Sequence, residues 1–249
     1  MGLKGLDGKV AIVTGGGSGI GLAVGRRLAA EGSRLALVDI DGEAAERAAD
    51  EIGGDAIGIA ADVSSEADVA RAFATVRERF HAIDALHNNA GIEGVSAPLA
   101  DSEVEQLDQL LAVNVRGVYL VLREMLRDAT AHGTPAAIVN TASGTALHAV
   151  PGMGQYAATK AAVIALTRNA AVENARAGIR VNAVVPGPVD TPLFDRLGAD
   201  VKEGVSAALP IGRLGQPDEV AALVAWLLSD EAPYACGGVF TIDGAETAA

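Results

Sequence analysis

Short runs of consecutive apolar residues punctuate the chain at positions 9–14, 34–38, 55–60, 84–88, 136–140, 179–184 and 238–242. Each is strand-sized, and most are rich in valine, isoleucine and leucine. Between them apolar positions recur at helical spacing, as at Leu22, Val24, Leu28 and Ala29 before Glu31-Gly32 stops the pattern. Alternation of strands and helices calls for crossover connections, which lay neighbouring strands parallel. The pattern therefore predicts an α/β fold. It should form one domain over residues 1–249, a doubly wound, Rossmann-type parallel sheet of about seven strands with helices on both faces. Ligands in such sheets bind beyond the carboxyl ends of the strands, near the point where strand order reverses.

The first strand and helix are joined by glycines. Residues 9–14 run directly into Gly15-Gly16-Gly17-Ser18-Gly19-Ile20-Gly21, and the helical pattern starts there. Strand, glycine loop and helix in that order suit a dinucleotide: glycines let the backbone approach a pyrophosphate, and the helix start offers free N–H groups and a favourable dipole. A flexible turn would look the same in isolation. The second strand supplies further support, because it ends on Asp39, 18 positions beyond Gly21. A carboxylate there accepts hydrogen bonds from ribose hydroxyls and repels a 2′-phosphate, which favours NAD over NADP.

Tyr156 and Lys160 stand four residues apart in an alanine-rich stretch, with Ser143 thirteen positions upstream of the tyrosine. On a helix that spacing puts phenol and ammonium on one face. A phenol working near neutrality needs its pKa of about 10 lowered by roughly three units, or about 4 kcal/mol, which a lysine and a cofactor cation together can supply. Taken alone, the pair reads equally as a half-buried tyrosine beside a surface lysine.

Together these motifs make the chain resemble the short-chain dehydrogenase/reductase family along nearly its whole length. The resemblance covers Thr14-Gly15 through Gly21, the pair Asp62-Val63, Asn88-Asn89-Ala90-Gly91, Asn114 within Val113-Asn114-Val115, and Ser143, Tyr156 and Lys160. Pro186-Gly187 with Thr191, and Thr241-Ile242-Asp243-Gly244, complete it. The departures are mild: His87 replaces a common aliphatic residue, Ala142 a frequent serine, and Ala158-Thr159 a common Ala-Ser. The resemblance implies that Tyr156 is the general acid/base, that Lys160 lowers its pKa and holds the nicotinamide ribose, and that Ser143 bonds the substrate oxygen. It implies also that Asn114 helps hold a water linking Lys160 to solvent. Cofactor contacts are expected from Gly15, Gly17, Ser18, Gly19, Ile20, Gly21, Asp39, Asp62, Val63, Asn89, Ala90, Gly91, Tyr156, Lys160, Pro186, Gly187, Val189 and Thr191. Glu93, Val95, His148, Met153 and Leu193 fall where family members shape the substrate pocket, and residues 190–212 where a substrate lid is expected, with Gly198 and Gly204 as flexible points.

The leading reading is an NAD(H)-dependent oxidoreductase interconverting a secondary alcohol and its ketone. Alternatives are an NADPH-dependent ketoacyl-type reductase or another enzyme of the same fold, and a cofactor-binding sensor or scaffold without turnover. Absence of a basic residue between Gly15 and Gly21 speaks against NADPH, and retention of both Tyr156 and Lys160 against the scaffold.

A net charge of −13 argues against nucleic acid and anionic membrane surfaces as partners. The uncharged stretch 129–159 is interrupted by prolines and glycines, so it does not read as a membrane span. With one cysteine, Cys236, no internal disulfide forms, and that residue reads as a small buried hydrophobe. No cluster of cysteine and histidine at metal-ligand spacing is present, and no secretory signal is seen, so a cytoplasmic protein is expected. Residues 104–125 carry more apolar positions than one buried stripe needs, and family members are commonly tetramers. A homotetramer is therefore expected, the competing reading being a helix buried on several sides within one subunit.

Overall fold

In a computed structural model, described for residues 2–195 and 199–248, the chain alternates strand and helix as the pattern requires. The elements run β1 (Val10–Thr14), α1 (Gly19–Ala30), β2 (Arg34–Asp39), α2 (Gly42–Ile52), β3 (Ala56–Ala60), α3 (Glu66–Phe80) and β4 (Ala85–Asn88). There follow α4 (Val104–Leu110), a π-helical segment (Leu111–Gly117), α5 (Val118–His132), β5 (Ala136–Thr141), α6 (Gly154–Asn174), β6 (Ile179–Pro186), α7 (Pro192–Asp195), α8 (Ala199–Ala208), α9 (Pro217–Leu228) and β7 (Val239–Ile242). All strand pairings between these elements are parallel, in the order β3-β2-β1-β4-β5-β6-β7. Strand order reverses between β1 and β4.

Continuous apolar strands result from burial on both faces. Val10 and Ile12 of β1 pack with Ala36 and Val38 of β2 against Phe73 and Val76 of α3 and Met125 of α5. Ala11 and Val13, with Leu35 and Leu37, pack instead against Val24 and Leu28 of α1 and Val224 of α9. Adjacent residues thus serve opposite layers, as the two-residue period of a strand demands. Helices α2 and α3 begin on side-chain caps: Ala44 N donates to Asp41 (3.0 Å) and Asp68 N to Ser65 (3.3 Å). No helix among the described residues is long and apolar enough to cross a membrane.

Two expectations change. Cys236 is exposed rather than buried, because it lies in the segment between α9 and β7, outside both helix layers. The apolar excess at 104–125 does not belong to one regular helix. Leu110, Val118, Leu120, Val121, Leu122 and Met125 are buried, while Val104, Leu111 and Tyr119 are exposed, and the π segment separates the two parts. Residues 196–198 of the expected lid lie outside the described residues; on either side of them stand α7 and α8, bracketed by a bridge between Val189 and Gly215.

Candidate active site

A crevice of about 490 Å³ opens at the carboxyl end of the sheet, over the reversal point between β1 and β4. At one end are Gly15, Ser18, Gly19, Ile20, Asp39, Asp62 and Val63; at the other are Glu93, Ser143, Met153, Tyr156, Lys160, Pro186, Gly187, Val189 and Thr191. Asn89, Ala90 and Gly91 lie between.

The chain fits a dinucleotide at the first end. Helix α1, unlike α2 and α3, has no side-chain cap and no acidic residue in its first turn. Its first N–H groups and its dipole are therefore left for an anion in the crevice. Gly17 N donates to Asp39 Oδ2 (3.0 Å), and a Cβ at Gly17 would stand 2.9 Å from Ala44 Cβ, so the loop hugs the end of β2. Asn89 ties the strand ends together: its N donates to Thr14 Oγ1 (2.9 Å) and its amide to Thr14 O (3.2 Å), while it accepts from Thr141 Oγ1 (3.2 Å).

At the other end, Tyr156 and Lys160 occupy the first two turns of α6, and Ser143 follows β5. Lys160 is 3% exposed, donates to Thr141 O (3.0 Å) and lies 5.6 Å from the centre of the Tyr156 ring. Burial brings its pKa down to about 8. For the protein's own groups alone, without the cofactor cation on which the expected lowering also draws, the phenol's pKa stands high. Burial raises its pKa above the ordinary value, the Glu93 carboxylate adds to the rise, and the Ser143 hydroxyl works against it. The protein's own residues therefore do not acidify Tyr156, and any lowering requires further positive charge in the crevice.

Asn114 sits in the π segment, fully buried, with both amide hydrogens committed. It accepts from Ile92 N (2.8 Å) and donates to Ile92 O (2.8 Å) and to Thr159 Oγ1 (3.1 Å). Both amide hydrogens are spent, while Oδ1 keeps a second lone pair that can accept from a water. The side chain also clamps the loop after β4 to α6. A π segment adds a residue per turn, which lets a side chain reach inward where a regular helix would turn it away.

His87 is fully buried, with its Nε2 3.0 Å from Thr141 Oγ1 and no partner at Nδ1. Because Thr141 Oγ1 donates to Asn89, the network assigns the histidine proton to Nε2. Burial lowers its pKa from 6.5 to about 3. Between those values the unfolded chain binds a proton that the folded one refuses, so stability falls as pH drops through the window, by about 1.4 kcal/mol per unit. Urea unfolding should show wild type losing roughly 3 kcal/mol more than His87→Val between pH 7 and 4.5; equal losses would contradict this account.

One of the expected pocket residues, Val95, lies elsewhere. Val95 is 74% exposed and does not line the crevice, because the loop turns outward at Gly94 (φ 80°). The side chain of Leu193 lies outside the described residues. His148 reaches the crevice through a partner that the sequence did not reveal. Its Nε2 is 3.7 Å from Oε1 of Glu246, and Glu246 lines the crevice. Thr145, Pro188 and Phe194 also line it. Gly144 and Gly187 hold the only available clue to Glu246: a Cβ on either would stand within 3.0 Å of its Oε2.

Comparison with known proteins places this geometry among enzymes. A family model described as enoyl-(acyl carrier protein) reductase matches residues 15–245. The 2,5-dichloro-2,5-cyclohexadiene-1,4-diol dehydrogenase of Sphingobium indicum is 40% identical over 246 residues, covering 98% of each chain. An NADP-dependent (R)-specific alcohol dehydrogenase of Lentilactobacillus kefiri is 38% identical, again over 98% of each. The crystal structure of a 3-ketoacyl-(acyl-carrier-protein) reductase from Brucella melitensis complexed with NADH superposes with a TM-score of 0.91 at 38% identity, covering 97% of this chain and 99% of that one.

Proposed function

We propose that this chain, which belongs to the short-chain dehydrogenase/reductase family of oxidoreductases, uses NAD to interconvert a secondary alcohol and its ketone. The observation that carries the reading is the placement of Tyr156 and the buried amine of Lys160 in one crevice with the uncapped start of α1 and Asp39. A nicotinamide bound there supplies the hydride acceptor or donor and, when oxidised, a positive charge. The Tyr156 oxygen takes the carbinol proton in oxidation and returns it in reduction. Lys160 and the oxidised nicotinamide together place positive charge near the phenol, against the burial and the Glu93 carboxylate that hold the proton on. Ser143 donates to the substrate oxygen as negative charge develops. Asn114 acts through Thr159 and Ile92, fixing α6 against the loop after β4. Residues 190–212, with α7 and α8, act as the lid.

Asp39 supports NAD over NADP. Its carboxylate ends β2 at the crevice wall, the next residue is the exposed Ile40, and no base stands between Gly15 and Gly21 to pair a 2′-phosphate. The family admits both cofactors, as the Lentilactobacillus relative's name states, so the choice rests on this carboxylate. Initial rates with each cofactor over a panel of secondary alcohols test it. NAD should exceed NADP in kcat/KM by at least about a hundredfold, and Asp39→Ala should narrow that ratio. Equal use by wild type would overturn the cofactor assignment, and turnover of no alcohol would favour the sensor.

A homotetramer is proposed on the open apolar groove of Leu111, Val115 and Tyr119 against Ala162, Ala165 and Leu166 of α6, a face a partner subunit would cover. A cytoplasmic location agrees with reliance on a soluble NAD pool.

A further inference from the structure

Two carboxylates line the substrate end of the crevice, and the proton chemistry uses neither. Glu93, on the loop after β4, is half-buried and makes no hydrogen bond or ion pair with any described residue. It lies near enough to Tyr156 to push the phenol's pKa up. Glu246 belongs to the short turn 246–248 after β7. Its Oε2 rests over the backbone of Gly144 and Gly187, and only because both lack a side chain, since a Cβ would stand 2.8 and 3.0 Å away.

Its other oxygen faces His148 at 3.7 Å. The His148 Nδ1 lies 3.0 Å from Gly144 O, and a carbonyl can only accept, so Nδ1 carries the proton. A neutral ring then turns a lone pair at Nε2 toward Glu246, and only a protonated ring donates to it. Burial raises the pKa of both carboxyls, and at Glu246 the His148 ring works against the rise.

Resting on the oxidoreductase reading above, we infer that Glu93 and Glu246 select an uncharged substrate bearing a second hydroxyl, a diol or polyol, and exclude substrates that carry a carboxylate. A hydroxyl donates to a carboxylate and satisfies it, whereas an anion beside Glu93 and Glu246 meets two like charges, the Lys160 ammonium being held at Thr141 O. An ammonium would satisfy the carboxylates too, but it would enter beside Lys160 and a cationic nicotinamide.

The test is a matched series on one ring with NAD: cyclohexanol, a cyclohexanediol, an aminocyclohexanol and a hydroxycyclohexanecarboxylate. The diol should exceed the mono-alcohol in kcat/KM by at least about tenfold, and the hydroxy acid should be poorest. Glu93→Gln and Glu246→Gln should each shrink the diol's advantage and improve the hydroxy acid. Unchanged NADH affinity and melting temperature establish that each variant is folded. A hydroxy acid or amino alcohol as the best substrate, or a diol advantage that survives both substitutions, would overturn the inference. Calorimetric binding of the same compounds to the enzyme–NADH complex repeats the ranking without turnover. A chain that ranks them as stated yet oxidises none would sink the dehydrogenase reading alone. One that oxidises alcohols without this ranking, or binds none of the series, would sink the substrate assignment alone.

Discussion

Tyr156→Phe is expected to lower kcat by about a thousandfold or more while leaving NADH affinity within about twofold of wild type. The substitution removes one oxygen from a side chain in the second position-pair of α6 and keeps the ring that Lys160 approaches at 5.6 Å. Packing is therefore preserved, and only the proton-transferring atom is lost. General acid/base groups contribute about a hundredfold to ten-thousandfold, so loss of the Tyr156 hydroxyl should fall in that range. Single-turnover rates with saturating NAD isolate the step. A variant that oxidises alcohol at the wild-type rate would remove Tyr156 from the reaction. The pH dependence provides a second check. Because burial and Glu93 hold the phenol up in the protein alone, the wild-type rate should climb with pH as the tyrosine deprotonates in the complex, and Glu93→Gln should move that climb to lower pH.

What was legible in the sequence was what depends on local pattern. Buried strands are apolar at consecutive positions, and the expected bounds of all seven lie within two residues of those observed, the full two only at β6, which continues from 184 to Pro186. Loop glycines, Asp39 and the Tyr156–Lys160 spacing are equally local. The electrostatics of Tyr156 were not, because the sign depends on how deeply the phenol is buried and on Glu93, 63 positions away along the chain. Asn114 was found by motif, but its partners were not. The π segment that aims it has no signature in Leu111-Ala112-Val113-Asn114-Val115, which would read as ordinary helix. Glu246 was missed altogether. The C-terminal turn returns to the crevice only after β7 has joined β6, and the glycines that admit it lie 102 and 59 residues earlier. Pocket walls built by distant segments leave their trace as missing side chains on the other segment, a signal that can be read only once the partner is known.

Gly21→Ala should be the most damaging single methyl in the molecule for cofactor binding. A Cβ at Gly21 would stand 2.0 Å from Gly15 O and 2.7 Å from Gly15 C, which are backbone atoms of the same loop, and 3.0 Å from Asn89 Nδ2. The two Gly15 atoms belong to the backbone and cannot swing away as a side-chain tip would. Gly15 is in the left-handed region at φ 64°, and a Cβ on it would stand 3.1 Å from Ala90 Cα, so it too is closely hemmed. Retreat of its carbonyl would drag on Thr14, whose oxygen and hydroxyl hold Asn89. The loop must therefore shift as a unit, taking with it the uncapped N–H groups that begin α1. We expect NADH affinity to fall by at least about a hundredfold, with a stability loss of about 3 kcal/mol, the upper range for an overpacked methyl. Saturating NADH, which raises the melting temperature of the wild type by mass action, should leave that of the variant almost unmoved. Gly25→Ala is the control from one turn further along α1. Its Cβ would meet only the ends of Leu37 and Ile52, at 3.0 and 3.2 Å, so stability should drop modestly while NADH binding is retained. Equal loss of NADH binding in both variants would mean that α1 transmits packing strain along its length, and that the close approach of Gly21 to Gly15 has no special part in holding the cofactor loop.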